Sequence, residues 1–201
     1  MPALAGARER SVYARWQAYS HNMRVDPDLL AYYNFEHETH GTKLFNAAAG
    51  NALNTRYSSQ EFDGVIDTPN WTTQGRWTGK PALSFIPALY TQGVSISPKA
   101  SSTHAKEITV MGWVRFFGPP TGSDIIADKW VEKDDMRCWS LEFKVDDLRW
   151  KTSSDGTEDG RVRLKADVKD MYGLWMHFAA TYDGKDMRLY VNGGLQDEDS
   201  Q

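Results

Sequence analysis

The chain has 201 residues, 40% of them hydrophobic and 12% aromatic, with eight tryptophans; that is enough apolar matter for a real core and excludes a globally disordered chain. The 23 basic and 27 acidic residues are interspersed and give a net charge of −4, which excludes the broad basic field of a nucleic-acid or anionic-membrane surface. Cys138 is the only cysteine, which excludes an intrachain disulfide and a cysteine-cluster zinc site.

The N-terminal "MPALAGARERSVY" lacks the apolar core of a signal peptide, and no stretch approaches the length of a membrane span, so membrane insertion by this chain is not expected. Residues 7–24 read as a helix. Val12, Trp16, Tyr19 and Met23 recur at spacings of four, three and four and form one apolar stripe. "DPD" at 26–28 stops it, because a residue before proline avoids helical angles. This divides the chain into a helical extension, 1–25, and a domain, 26–201.

After Pro27 the period changes. "LLAYYNF" (29–35), "ALSFI" (82–86), "GVSIS" (93–97), "EITVMGWVRFF" (107–117), "SDIIADKWV" (123–131) and "RCWSLEFKV" (137–145) read as strands. "DLRWKT" (147–152), "GRVRLK" (160–165), "LWMHFAATY" (174–182) and "MRLYVN" (187–192) continue the pattern. Met187, Leu189 and Val191 share one face, Arg188 and Tyr190 the other, and "DGKD" turns a hairpin from Tyr182 to Met187. Segment 37–80 is polar and reads as loops around one short strand, "FDGVID". Many short strands between Gly, Pro, Asn and Asp clusters predict an all-β, two-sheet antiparallel jelly-roll sandwich preceded by one N-terminal helix. Trp113, Phe178, Leu189 and Val191 are expected in its core.

The stretch that looks most like chemistry is "NFEHETHG", 34–41. A zinc protease needs histidines at i and i+4 on a helix, whereas His37 and His40 stand at i and i+3 at the end of a strand-like run, so they read as loop residues. "EKDDMR" supplies Glu132 and Asp134 at the spacing of a glycosidase carboxylate pair, but Arg137 stands where a third acid is needed. Glu142, Lys144 and Asp146 read as a solvated strand face. Most tryptophans are expected in the core. Trp71 and Trp77, in the polar loop "NWTTQGRWTGK", are the candidates for exposed ligand contacts, because an indole stacks on the apolar face of a sugar ring.

In order along the chain, "DPDLLAYYNFE", "GRWTGKPALSF", "EITVMGWVRF" and "LWMHFAATYDGKDMRLYVNGG" resemble the LamG-like domains of the concanavalin A-type jelly-roll superfamily. The most specific element is the ending W-x-H-x-A-x-T-Y-D-G…L-Y-V-N-G, from Trp175 to Gly193. The join of helix and first strand also resembles large bacterial proteins that carry a FecR-type region before such a domain. The resemblance implies a non-catalytic module that binds glycan or protein ligands in an extracytoplasmic setting. Some members of that family hold a calcium ion near the end of the first strand between two carboxylates; Glu36 matches the first, and the second has no counterpart in this sequence. The resemblance also implies that the domain lacks its last strands here, which would leave strand 29–35 an open edge for self-association. A laminarinase-type glycan-active enzyme and a structural assembly domain are the alternatives.

Overall fold

The computed structural model describes residues 2–24, 26, 28–36, 41–50, 62–68, 70–86, 92–97 and 107–200. His37, Glu38 and His40 lie outside them. The chain divides into two units, Met1–Ser102 and Thr103–Gln201, described here one at a time.

The first unit opens with α1 (Pro2–Arg24), which begins five residues before the predicted helix. Pro2 suits that start, because a first-turn residue needs no N–H partner within the helix. Val12, Trp16 and Met23 are half-buried as the stripe predicts, but Tyr19 is 38% exposed and Ser20 is buried instead. The Ser20 hydroxyl oxygen accepts the Tyr32 hydroxyl at 3.0 Å, which turns that side of the helix toward the following segment.

That segment is where the structure departs most from the sequence pattern. Residues 29–35 form no strand. Their backbone is tied down by individual hydrogen bonds rather than by a ladder. Tyr32 N–H donates to Asn46 Oδ1 at 2.8 Å, Tyr32 C=O accepts Ala47 N–H at 2.7 Å, and Asn34 C=O accepts Lys80 Nζ at 2.5 Å. Phe35 has a φ of 56°, which turns the chain out of any extended path. The apolar composition of the run is met by partial burial and by the Tyr33 hydroxyl, which donates to Phe62 C=O at 2.6 Å.

The remaining elements of this unit are short. β1 (Lys43–Leu44), β2 (Gly64–Asp67) and β5 (Gly93–Ile96) make an antiparallel sheet in the order β1-β2-β5, with Leu44 and Ile66 buried. β2 is the strand read from "FDGVID"; β1 was not foreseen. β3 (Trp71–Thr72) and β4 (Ala82–Leu83) pair as a small hairpin, also unforeseen at β3.

The second unit is the expected antiparallel sandwich. One sheet runs β10-β9-β8-β7 and the other β13-β12-β11-β6. The strands are β6 (Ile108–Val114), β7 (Ser123–Val131), β8 (Met136–Lys144), β9 (Asp147–Ser153), β10 (Arg161–Asp167), β11 (Met176–Tyr182), β12 (Asp186–Val191) and β13 (Gly194–Ser200). Alternate residues of both sheets meet in one core. Leu141, Phe143, Leu148, Trp150 and Leu164 come from one side and Phe178, Ala180, Met187, Leu189 and Val191 from the other. Each large apolar side chain so buried contributes about 1.5–3 kcal/mol. The Trp150 indole N–H donates across the sandwich to Thr181 C=O at 3.2 Å.

Three of the four predicted core residues hold their place: Phe178 at 4%, Leu189 at 0% and Val191 at 4% exposure. Trp113 does not. It is 38% exposed on the opposite face of β6, where its ring meets His177 edge-on at 5.2 Å. The inward position belongs to its neighbour Gly112, whose missing Cβ makes room for the Phe178 ring. β13 is also new. Asn192 (φ 50°) and Gly193 (φ 83°) form a two-residue turn with positive φ at both positions, which carries Val191 opposite Gly194 and starts the last hairpin.

Candidate functional site

The hairpin β3–β4 presents Trp77. Its loop is closed by Gly75 N–H to Lys80 C=O at 2.8 Å, Lys80 N–H to Trp77 C=O at 3.0 Å and Gly79 N–H to Thr73 C=O at 3.2 Å. Gly75 lies so close to the Lys80 carbonyl that any Cβ would collide with it. The loop packs on α1. The Trp16 and Trp77 rings lie 5.8 Å apart at 60°, and Tyr13 stands 5.6 Å from Trp16.

Between helix and loop runs an open groove of about 290 Å³, lined by Arg10, Tyr13, Trp77 and Thr78. Tyr13 is 47% exposed and Trp77 half-buried, so both offer ring surface to solvent. The Arg76 guanidinium lies 5.6 Å from the Trp77 ring, and burial draws Arg76 below its ordinary pKa while Tyr19 and Tyr32 act against that. Two flat rings, a guanidinium and a hydroxyl suit an amphipathic ligand with one apolar face. Trp77 was legible as a candidate; Arg10 and Tyr13 were not, because nothing in the sequence brings the helix to this loop.

Trp71 has different surroundings. Its indole N–H donates to Gly41 C=O at 3.1 Å, and Phe35 stands edge-on at 6.4 Å. Glu36 faces an ammonium: Lys80 Nζ lies 3.5 Å from its Oε1, and Asn34 Nδ2 donates to its Oε2 at 3.3 Å. A calcium ion at Glu36 would have to share that carboxylate with Lys80. Among the described residues no three His, Cys, Asp or Glu side chains are grouped to hold a metal.

The second unit holds a polar cluster that the sequence did not reveal. Glu142, read as a solvated residue, is 6% exposed. Its Oε2 accepts Lys151 Nζ at 2.9 Å, and that ammonium also lies 4.8 Å from the Trp130 ring. Register places Asp128, Ser140, Lys151 and Arg163 abreast on β7, β8, β9 and β10, on the face turned away from the core. Ser140 Oγ is buried without a hydrogen-bond partner. Desolvation raises the Asp128 pKa, Lys151 opposes that rise, and Glu142 adds to it. The run "EKDDMR" forms the turn between β7 and β8, where Glu132 is exposed and Arg137 pairs with Asp135 at 2.8 Å and Glu158 at 3.5 Å.

The model of the concanavalin A-like lectin/glucanases superfamily (Laminin_G_3) matches residues 90–200, more than half of the chain. No curated protein matches the sequence. Among solved structures, the receptor-binding domain of a botulinum neurotoxin C/D mosaic serotype has a TM-score of 0.58 at 12% identity, over 85% of this chain and 38% of that one. The binding domain of Paraclostridial Mosquitocidal Protein 1 gives 0.58 at 14% identity, over 80% and 38%. The binding domain of botulinum neurotoxin DC in complex with rat synaptotagmin II gives 0.54 at 12%, over 85% and 39%. The chain spans about two fifths of the length of these structures, and at such identity the likeness is one of fold.

Proposed function

This chain belongs to the concanavalin A-like lectin/glucanases superfamily, and on that premise we propose that it is a non-catalytic binding module of a cell-envelope or secreted protein, with glycan or protein ligands. The observation that carries this reading is the open groove of Tyr13, Trp77, Arg10 and Thr78, which has stacking surface and hydrogen-bonding groups and, among the described residues, no carboxylate in its lining. Of the two ligand classes the groove favours a glycan, since its rings match a pyranose face. The receptor-binding domain among the similar structures adds support by analogy of fold. No helix among the described residues is long and apolar enough to cross a membrane. We place the module outside the cytoplasm, as part of a larger FecR-type protein, on the family resemblance alone.

The test is a glycan array probed with the wild type and Trp77→Ala. Wild-type binding lost in the variant supports the reading. A folded wild type that binds no glycan removes the glycan assignment.

A second reading has one observation in its favour. Asp128 and Glu142 lie on one sheet face, and the Glu142 charge raises the Asp128 pKa, as one carboxyl of a glycosidase pair does to the other. Against it, Glu142 is engaged by Lys151. Release of reducing sugar from β-glucans, abolished by Asp128→Asn and by Glu142→Gln, would establish the enzyme.

A further inference from the structure

On the reading of the groove as a glycan site, we infer that it selects an acidic saccharide, bearing carboxylate or sulfate, over the neutral counterpart. Among the described residues, Arg10 is the charged side chain that lines the groove, in a chain whose net charge is −4. On the other side the groove is lined by Trp77 and Thr78, directly after Arg76 in the chain. The Arg76 guanidinium lies 5.6 Å from the centre of the Trp77 ring.

A guanidinium offers a planar fork of donors that matches a carboxylate or sulfate with two parallel hydrogen bonds. Tyr13 and Trp77 offer flat apolar surface to the sugar ring that bears the anion. Both groups are needed on one ligand, and an acidic pyranose has both. A single-stranded nucleic acid also combines anions with flat rings. It needs a groove that tracks several phosphates, however, and this one holds about 290 Å³ beside a net negative chain.

The experiment is calorimetric titration of the full chain with two matched pairs. One is tetragalacturonate and its methyl ester; the other is a heparin hexasaccharide and its desulfated, N-acetylated, carboxyl-reduced form. Thymidylate octamer serves as competitor. The expected result is at least one acidic member bound about tenfold tighter than its neutral partner, a preference that shrinks at high salt. Arg10→Gln, with an unchanged circular dichroism spectrum, should remove about a tenfold factor from the acidic ligand and leave the neutral one unaffected. Arg76→Gln is the second variant if the first fails to fold. Equal binding of neutral and acidic partners overturns the charge selection and leaves the glycan reading standing. Binding of neither by the folded chain removes both. Acid binding untouched in both variants moves the site elsewhere, and equal competition by the octamer makes this a generic polyanion surface.

Discussion

Lys151 Nζ lies 2.9 Å from Glu142 Oε2, with side-chain exposures of only 11% and 8%. Taking either partner away leaves a buried charge without its counterion. Lys151→Met or Glu142→Gln should therefore cost about 3–5 kcal/mol in urea unfolding of the chain. The double replacement Lys151→Met with Glu142→Leu should recover most of that, because it removes both desolvation penalties. Full loss in the double variant would mean that the pair is held by neighbours beyond these two groups.

The close approach of β6 to β11 gives a steric prediction. A Cβ built on Gly112 would sit 3.0 Å from Phe178 Cζ, inside a core with little room to yield. Gly112→Ala should destabilise by about 1–3 kcal/mol through overpacking. Gly93→Ala, where among the described residues nothing beyond the chain neighbours lies within 4 Å of the new Cβ, should stay within about 0.5 kcal/mol. Thermal melts of the two variants side by side check the contrast.

Lys80 joins three parts of the first unit: it donates to Asn34 C=O at 2.5 Å, faces Glu36 at 3.5 Å, and lies 4.6 Å from the Trp16 ring. Lys80→Met keeps the stem and removes the donor. It should cost about 1–3 kcal/mol by leaving the Asn34 carbonyl short of its partner, and hydrogen exchange should quicken at residues 32–36. Unchanged exchange there would show that Asn46 alone fixes the segment.

Two carboxyls give opposite pH slopes. Asp183 accepts the N–H groups of Asp186 and Lys185, and chiefly the Asp186 bond holds its pKa below the ordinary value. Its contribution is present above the unfolded carboxylate pKa, about 4, and is lost as pH falls through the lower folded value. The stability gap between wild type and Asp183→Asn should then close in acid. Asp128 is raised because desolvation outweighs the pull of Lys151, so its ionisation weakens the fold as pH climbs from the unfolded to the folded pKa, by a small amount because the residue is exposed and water screens it. Asp128→Asn should be more stable than wild type at neutral pH and lose that advantage in acid. Denaturant midpoints from acid to neutral pH read both slopes.

The sandwich was legible where alternation was strong. β6 to β12 all fall within a few residues of their predicted runs, because Met187, Leu189 and Val191 and their counterparts mark the inward face directly. β13 was missed although its signal was present. Its sequence "GLQDEDS" is acidic and poor in β-branched residues, but Asn192-Gly193 is a strong hairpin turn and dictates a strand after it. "LLAYYNF" misled in the other direction, since β-propensity could not foresee that Asn46 and Lys80 would take its backbone groups. At the candidate site, loop composition singled out Trp77, which lines the groove, and Trp71, which does not. Period 2 correctly set Glu142 on the outer face of β8 but could not tell that it would be buried there with Lys151 beside the Trp130 ring.

The most direct measurement of the binding account is calorimetric titration of wild type, Trp77→Ala and Trp71→Ala with the saccharide that gives the strongest array signal. The Trp77 ring lines the groove, whereas the Trp71 indole is spent on Gly41 C=O. The account predicts saturable binding that weakens about tenfold or more in Trp77→Ala, the scale of a lost stacking anchor, and persists in Trp71→Ala. Undiminished binding by a folded Trp77→Ala would contradict it.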